Sequence, residues 1–124
     1  MKKDNTQTLT ISRWHPAKLN EWHGAHWSRR ARLKRFDREI VGLFAKLAGI
    51  PVARGKRRVS LRLTLAPGQR AGDPDAYWKS LLDSLVHCRL LLDDNAKSLE
   101  LGQVSFTRGA VPETEIVLEE ITCT

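Results

Sequence analysis

From Val59 to Leu65 apolar and polar residues alternate without a break, with Val59, Leu61, Leu63 and Leu65 on one side and Ser60, Arg62 and Thr64 on the other. Successive side chains of a strand point to opposite faces, so the segment reads as a strand with one buried face and one polar face. A strand of this kind needs neighbouring strands and a layer over its apolar side.

Two stretches of the chain offer such a layer. Leu33, Phe36, Ile40, Leu43, Phe44 and Leu47 recur at steps of three and four, the apolar stripe of an amphipathic helix. Ser28 is placed to cap its start, and Gly49 and Pro51 to stop it. Trp78, Leu81, Leu82, Leu85 and Val86 form a second stripe, which makes Trp78 a core residue. Thr8 to Trp14 reads as a first strand, Leu99 to Thr107 as a third and Thr114 to Ile121 as a fourth. Arg108 to Pro112 supplies turn residues, so the last two strands are expected to form a hairpin. His15 to Trp27, the basic segment Arg54 to Arg58, and Pro67 to Gly72 read as loops. The expected architecture is a single α+β domain over residues 1–124: a mixed sheet of about four strands with two main helices packed against it, in the order β-α-β-α-β-β.

Lysine and arginine outnumber aspartate and glutamate by 21 to 14, a net charge of +7. A balance of this sign favours nucleic acid as the partner. Arg29, Arg30, Arg32, Lys34, Arg35 and Arg38 crowd the first helix, where only Asp37 and Glu39 oppose them. Every amphipathic helix has a solvated polar face, but this excess of one sign suits a surface that follows phosphates. Trp14, Trp22 and Trp27 interleave with the charge, and Trp22, in the loop, is the candidate for stacking on an unpaired base. The two cysteines, Cys88 and Cys123, form no CxxC pair, and His15, His23, His26 and His87 lack a ligand spacing. Without an apolar run of membrane length or a signal-peptide pattern at Met1-Lys2-Lys3-Asp4, no membrane and a cytoplasmic location are expected.

Against this basic background stands a group of acids. The chain reads Asp73-Pro74-Asp75-Ala76-Tyr77-Trp78-Lys79, then Asp83, and further on Leu92-Asp93-Asp94-Asn95. Asp73 before Pro74 is an ordinary helix start, Asp75–Lys79 spacing suits a surface ion pair, and Asn95 suits a turn. A cap needs one acid, however, and two are present. A turn needs one acid, and again two are present. Close carboxylates on a cationic protein suit a hard divalent cation, which takes oxygen ligands and shares them with substrate phosphate. Metal-assisted cleavage of nucleic acid follows as the expected chemistry.

The pattern Asp73-x-Asp75-x-x-x-Lys79-x-x-x-Asp83-x-Leu85, followed by Leu92-Asp93-Asp94, resembles the RusA family of Holliday junction resolvases. The likeness is strongest from Arg58 to Thr107, and Asn20 with its neighbours stands where the family has a polar loop. The chain departs from the family at Ala76, where asparagine is usual, at Pro74, where an apolar residue is usual, and before the motif, where a basic run is reduced to Arg70. The resemblance implies a Mg²⁺-dependent endodeoxyribonuclease, with Mn²⁺ as a substitute, that resolves four-way junctions in DNA recombination and repair as a homodimer. It makes Asp73, Asp75, Lys79 and Asp94 the catalytic set, with Asp73, Asp75 and Asp94 holding the metal, Lys79 stabilising charge on the phosphate, and Asp93 either a ligand or a turn residue. Arg29, Arg30, Arg35, Arg70 and Trp22 are then the expected contacts to branched DNA. The alternatives are a branched-DNA-binding protein without catalysis, in which the acids are caps and turns, and a metal nuclease for other branched DNA.

Overall fold

The computed structural model describes residues 6–16, 18 and 27–121. In chain order its elements are β1 (Thr6–Ser12), α1 (Trp27–Ala48), β2 (Arg57–Leu65), a 3-10 turn (Pro74–Tyr77), α2 (Trp78–His87), β3 (Leu99–Arg108) and β4 (Glu113–Glu120). The fold is α+β, with one mixed four-stranded sheet and two helices, as the sequence patterns lead one to expect.

The alternation of β2 is realised: Val59, Leu61, Leu63 and Leu65 are buried. They join Leu9 and Ile11 of β1, Ile116 and Leu118 of β4, Val41 and Ala45 of α1, and Leu81 and Leu85 of α2 in one core. Trp78 belongs to the same core. Both helices therefore cover one face of the sheet. On the other face the arginines of β2 are matched across the strands: Arg58 pairs with Glu100 and Glu119, and Arg62 with Glu115. These partners raise the Arg58 pKa further, Glu100 first and Glu119 second.

The strand order is β1-β4-β2-β3, so the expected hairpin of the last two strands does not form. β3 runs parallel to β2, as a strand–helix–strand unit allows, and β4 runs antiparallel between β1 and β2. The segment after β3 must then cross the end of β2 instead of turning back at once. Gly109 lies at the crossing. Its N–H donates to the Leu65 carbonyl at 3.1 Å, and a Cβ there would stand 2.8 Å from Thr64 Cγ2. Pairing on both edges suits β4, whose Thr114, Ile116 and Leu118 are all fully enclosed.

Several boundaries differ from the sequence expectation for local reasons. β1 closes at Ser12, because Arg13 takes a left-handed φ of 60° and its N–H donates to the Pro112 carbonyl. Trp14 lies beyond it, buried. α1 begins at Trp27, which puts Ser28 inside the first turn and not at its cap. It ends as expected at Gly49, where φ is 70° and the N–H groups of Gly49 and Ile50 return to the carbonyls of Lys46 and Ala45.

The buried line of α1 matches the expected stripe only in part: Ile40 and Phe44 pack against the core half-buried. Asp37, Val41 and Ala45, at steps of four, face the core, while Phe36, Leu43 and Leu47 are exposed. Asp37 is enclosed in a polar network, accepting from Trp14 Nε1 at 3.2 Å and from the Ser80 hydroxyl.

The basic segment at 54–58 is also more than a loop. Arg57 opens β2 with the parity of Val59 and is only 2 % exposed. Its guanidinium pairs with Glu120 and donates to the carbonyls of Leu90 and Pro51, each at 3.0 Å. One side chain thus ties the end of β4, the segment after α2 and the segment after α1 to the start of β2.

Candidate functional site

Pro74 fixes φ and cannot donate, so a helix starts readily behind Asp73. Asp73 does act as a cap: its Oδ1 accepts from the Asp75 N–H at 3.2 Å. The first turn is 3-10, and the α-helix proper begins only at Trp78, without a side-chain cap. Asp75 therefore precedes α2. Both acids are exposed and neither forms an ion pair among the described residues.

The second acid pair divides in a similar way. Asp93 is a turn residue, accepting from the Asp94 N–H at 2.8 Å and from the Asn95 side-chain amide at 3.2 Å. Asn95 in turn accepts from the N–H groups of Lys97 and Ser98. The turn leaves the Asp94 carboxylate unused. Asp94 lines a cleft of about 360 Å³ together with Lys79, Asp93, Asp83, Arg38 and His87. Lys79, exposed on the first turn of α2, makes neither of the ion pairs that its spacing from Asp75 and Asp83 allows.

Asp83 has a different task. Arg38 grips it with two hydrogen bonds, at 3.0 and 3.3 Å, and Lys34 stands 3.8 Å away. It ties α1 to α2. Cys88, below the same helix pair, has its thiol pKa raised chiefly by burial, with Arg38 acting in the opposite sense.

The structure thus brings Lys79 and Asp94 to one cleft from two separate segments and leaves Asp73 and Asp75 outside its lining. Among the described residues no three His, Cys, Asp or Glu side chains form a group that could hold a metal ion. A preassembled cage of Asp73, Asp75 and Asp94 is therefore not present. The donor chemistry itself fits Mg²⁺. Exposed carboxylate oxygens without counter-cations suit an ion that keeps several waters and is bound through one or two carboxylates plus substrate phosphate. Asp83, Glu100, Glu115, Glu119 and Glu120 are ion-paired, while Glu39 and Glu113, like Asp73, Asp75 and Asp94, form no ion pair among the described residues.

The cations expected to meet phosphate are also placed. Arg29, Arg30 and Arg35 are exposed on α1 and form no ion pair among the described residues, and Arg70 is exposed just before Asp73. Arg38 is not available, because Asp83 holds it. With Asp37 enclosed, Glu39 is the only exposed acid on α1. Trp22, His23, His26, Asn20 and Cys123 lie outside the described residues. Trp14 is not free to stack on a base, and His15 Nε2 sits 2.7 Å from the Thr64 carbonyl oxygen.

If these arginines meet phosphates, each contact should add about 0.9 to the slope of log affinity against log salt. Replacing Arg29, Arg30 and Arg35 with alanine, singly and together, should flatten that slope stepwise in binding titrations on branched DNA. An unchanged slope would move the DNA surface elsewhere.

Asp37 and Arg57 were missed as enclosed charges, although the patterns carried both. Asp37 lies on the Val41–Ala45 line at steps of four, and Arg57 extends the alternation of β2 backwards. Compared with known proteins, the chain matches no family model, and no curated protein is significantly similar to it.

Proposed function

We propose that this protein is a Mg²⁺-dependent, structure-selective endodeoxyribonuclease that acts on four-way DNA junctions in the manner of the RusA resolvases. The observation that carries the proposal is the state of four side chains on a chain of net charge +7. Among the described residues Asp73, Asp75 and Asp94 have no counter-cation, and Lys79 shares a cleft with Asp94 without being consumed by an ion pair. Local structure explains one carboxylate in each pair, the Asp73 cap and the Asp93 turn, and leaves Asp75 and Asp94 to be explained.

In this proposal Asp73, Asp75 and Asp94 would hold the metal. When bound, Mg²⁺ would supply a water of lowered pKa and polarise the phosphate. Lys79 faces the negative charge that grows on the phosphate oxygens in the transition state. Arg29, Arg30, Arg35 and Arg70 hold the flanking backbone, which sets the register of the DNA and not its sequence. Resolution of a junction takes two cuts related by symmetry, and a homodimer would present two such sites about one axis. Among the described residues no helix is long and apolar enough to cross a membrane, which accords with work on cytoplasmic DNA.

A second reading is favoured by the absence of a three-acid group among the described residues and by the capping bonds of Asp73 and Asp93. In it the protein binds branched DNA and does not cut. One experiment separates the two: incubation with a synthetic four-way junction and with linear duplex, each with and without Mg²⁺ or Mn²⁺. Paired, symmetric, metal-dependent cuts in the junction alone support the resolvase. Binding without cleavage in every condition supports the second reading.

A further inference from the structure

We infer that the cavity between α1 and the end of β2 is a nucleobase pocket, which takes one unpaired base of the DNA strand beside Asp73 and Asp75. The inference rests on the DNA-binding part of the proposed function and not on the cleavage.

The cavity holds about 450 Å³, the size of a small-molecule site. Its walls are flat rings, and each is held by a neighbour. Trp14 Nε1 donates to Asp37 at 3.2 Å, and His15 Nε2 donates to the Thr64 carbonyl at 2.7 Å. The Tyr77 hydroxyl accepts from the Gly72 N–H at 3.3 Å, and its ring stands against Phe106 with centroids 6.0 Å apart. Walls fixed in this way need little ordering when a ligand enters. Phe36 completes the lining and is 53 % exposed. Its ring stands at the mouth, where an unstacked base can lie against it, and every base has a π-face to offer.

Charge selects a nucleotide over other planar ligands. Lys18 and Arg70 both line the cavity. Among the described residues the only acid in the lining is Asp37, which is enclosed and accepts from Trp14 and Ser80. The cavity therefore offers rings inside and cations around them, which suits a base that carries phosphate. The chain places this cavity next to the surplus acids. Arg70 stands three residues before Asp73, and Tyr77 two residues after Asp75. Between them a Cβ at Gly72 would lie 3.2 Å from Lys18 Cδ and 3.4 Å from the Tyr77 hydroxyl oxygen, so the backbone that leads into the acid pair packs directly on the cavity wall. One short segment thus carries both the cavity rim and the acids. A base at a branch point is the easiest to receive, because leaving the stack costs least where pairing is already broken.

Binding of the whole chain to a four-way junction in EDTA tests this without cutting. Each nucleotide next to the branch is replaced in turn by an abasic one. At one position, loss of the base should weaken binding by about tenfold, the scale of one base–aromatic stack. Phe36→Ala should cost about the same on the intact junction and nothing further on that abasic junction, because base and ring are one interaction. Phe36→Trp should bind like the parent and Phe36→Leu like Phe36→Ala, which separates a stacking ring from apolar area. Phe36 is exposed, so the melting temperature should not change in any of the three. A 5-iodouracil at the same position should crosslink on irradiation to the peptide that holds Phe36 or Trp14. The inference is overturned if no abasic position weakens binding, if the two losses add at every position, or if Phe36→Leu binds like the parent. A junction that shows the coupling but is never cut with Mg²⁺ leaves the pocket standing and the nuclease proposal fallen. Metal-dependent cutting without the coupling does the reverse, and a chain that does not bind the junction overturns both.

Discussion

Asp75→Asn is expected to reduce junction cleavage by about a hundredfold or more while junction binding persists or tightens. The substitution keeps the shape of the side chain and removes one negative charge. Asp75 is exposed, its carboxylate makes no bond among the described residues, and its N–H donates to Asp73 from the backbone. Stability should therefore be unaffected, and the loss should report on chemistry alone. Binding should improve because a carboxylate that faced phosphate has gone. Lys79→Ala should lose cleavage to a similar degree but bind slightly more weakly, since it removes a cation near the same phosphate. The control is Asp83→Asn. Asp83 ties α2 to Arg38 and Lys34, so its loss should lower the melting temperature more than it lowers cleavage by the folded fraction. Single-turnover cleavage and gel-shift binding on one labelled junction read both quantities. If Asp75→Asn and Lys79→Ala cut like the parent, these residues are structural and the nuclease proposal fails.

Arg57→Met should destabilise the fold by about 3 kcal/mol, the scale of breaking a buried charge pair. The replacement has similar length but cannot donate. It leaves the carbonyls of Leu90 and Pro51 without their guanidinium bonds and Glu120 without its partner. Unsatisfied buried acceptors cost about 1–3 kcal/mol each where water cannot reach them, and the half-buried Glu120 recovers part of its loss from solvent. For a chain of this size the change amounts to about 10 °C in melting temperature. Arg62→Met provides the comparison. Arg62 is exposed and pairs with Glu115 at 3.5 Å, so its loss should stay within about 0.5 kcal/mol. Equal effects of the two substitutions in denaturant titrations would show that Arg57 is not the tie described above.

Both experiments turn on charges whose roles the linear pattern conveyed unequally. Asp73 and Asp75 were recognisable because two acids stood where a helix start needs one, and Asp94 because a turn already had Asp93 and Asn95. Local bonding in the structure follows that division. Lys79 and Asp94 could not be joined to one cleft from the sequence, because the segment that returns Asp94 toward α2 is irregular and has no period. Asp37 sits on the apolar line of α1, but an acid on such a line becomes a core residue only when Trp14 and Ser80 arrive to donate to it.

What the sequence determined by itself is local: the strand alternation of β2, the two helices with their ends at Gly49 and near Pro74, the order of the elements, and a basic α1 beside a set of surplus acids. These follow from periodicity, from the geometry of proline and glycine, and from charge, all of which act within a few residues. Tertiary structure alone decided that Asp37, Val41 and Ala45 were the deepest residues of α1 while Phe36, Leu43 and Leu47 stayed exposed, that Arg57 was enclosed while Arg58 was not, and that β4 slid between β1 and β2 and did not fold back on β3. Each of these is a competition between partners distant in the chain, settled by shape and by hydrogen bonds that exist only once the layers meet. The crossing at Gly109 has the same origin, since a missing Cβ matters only where Thr64 of another strand lies beneath it.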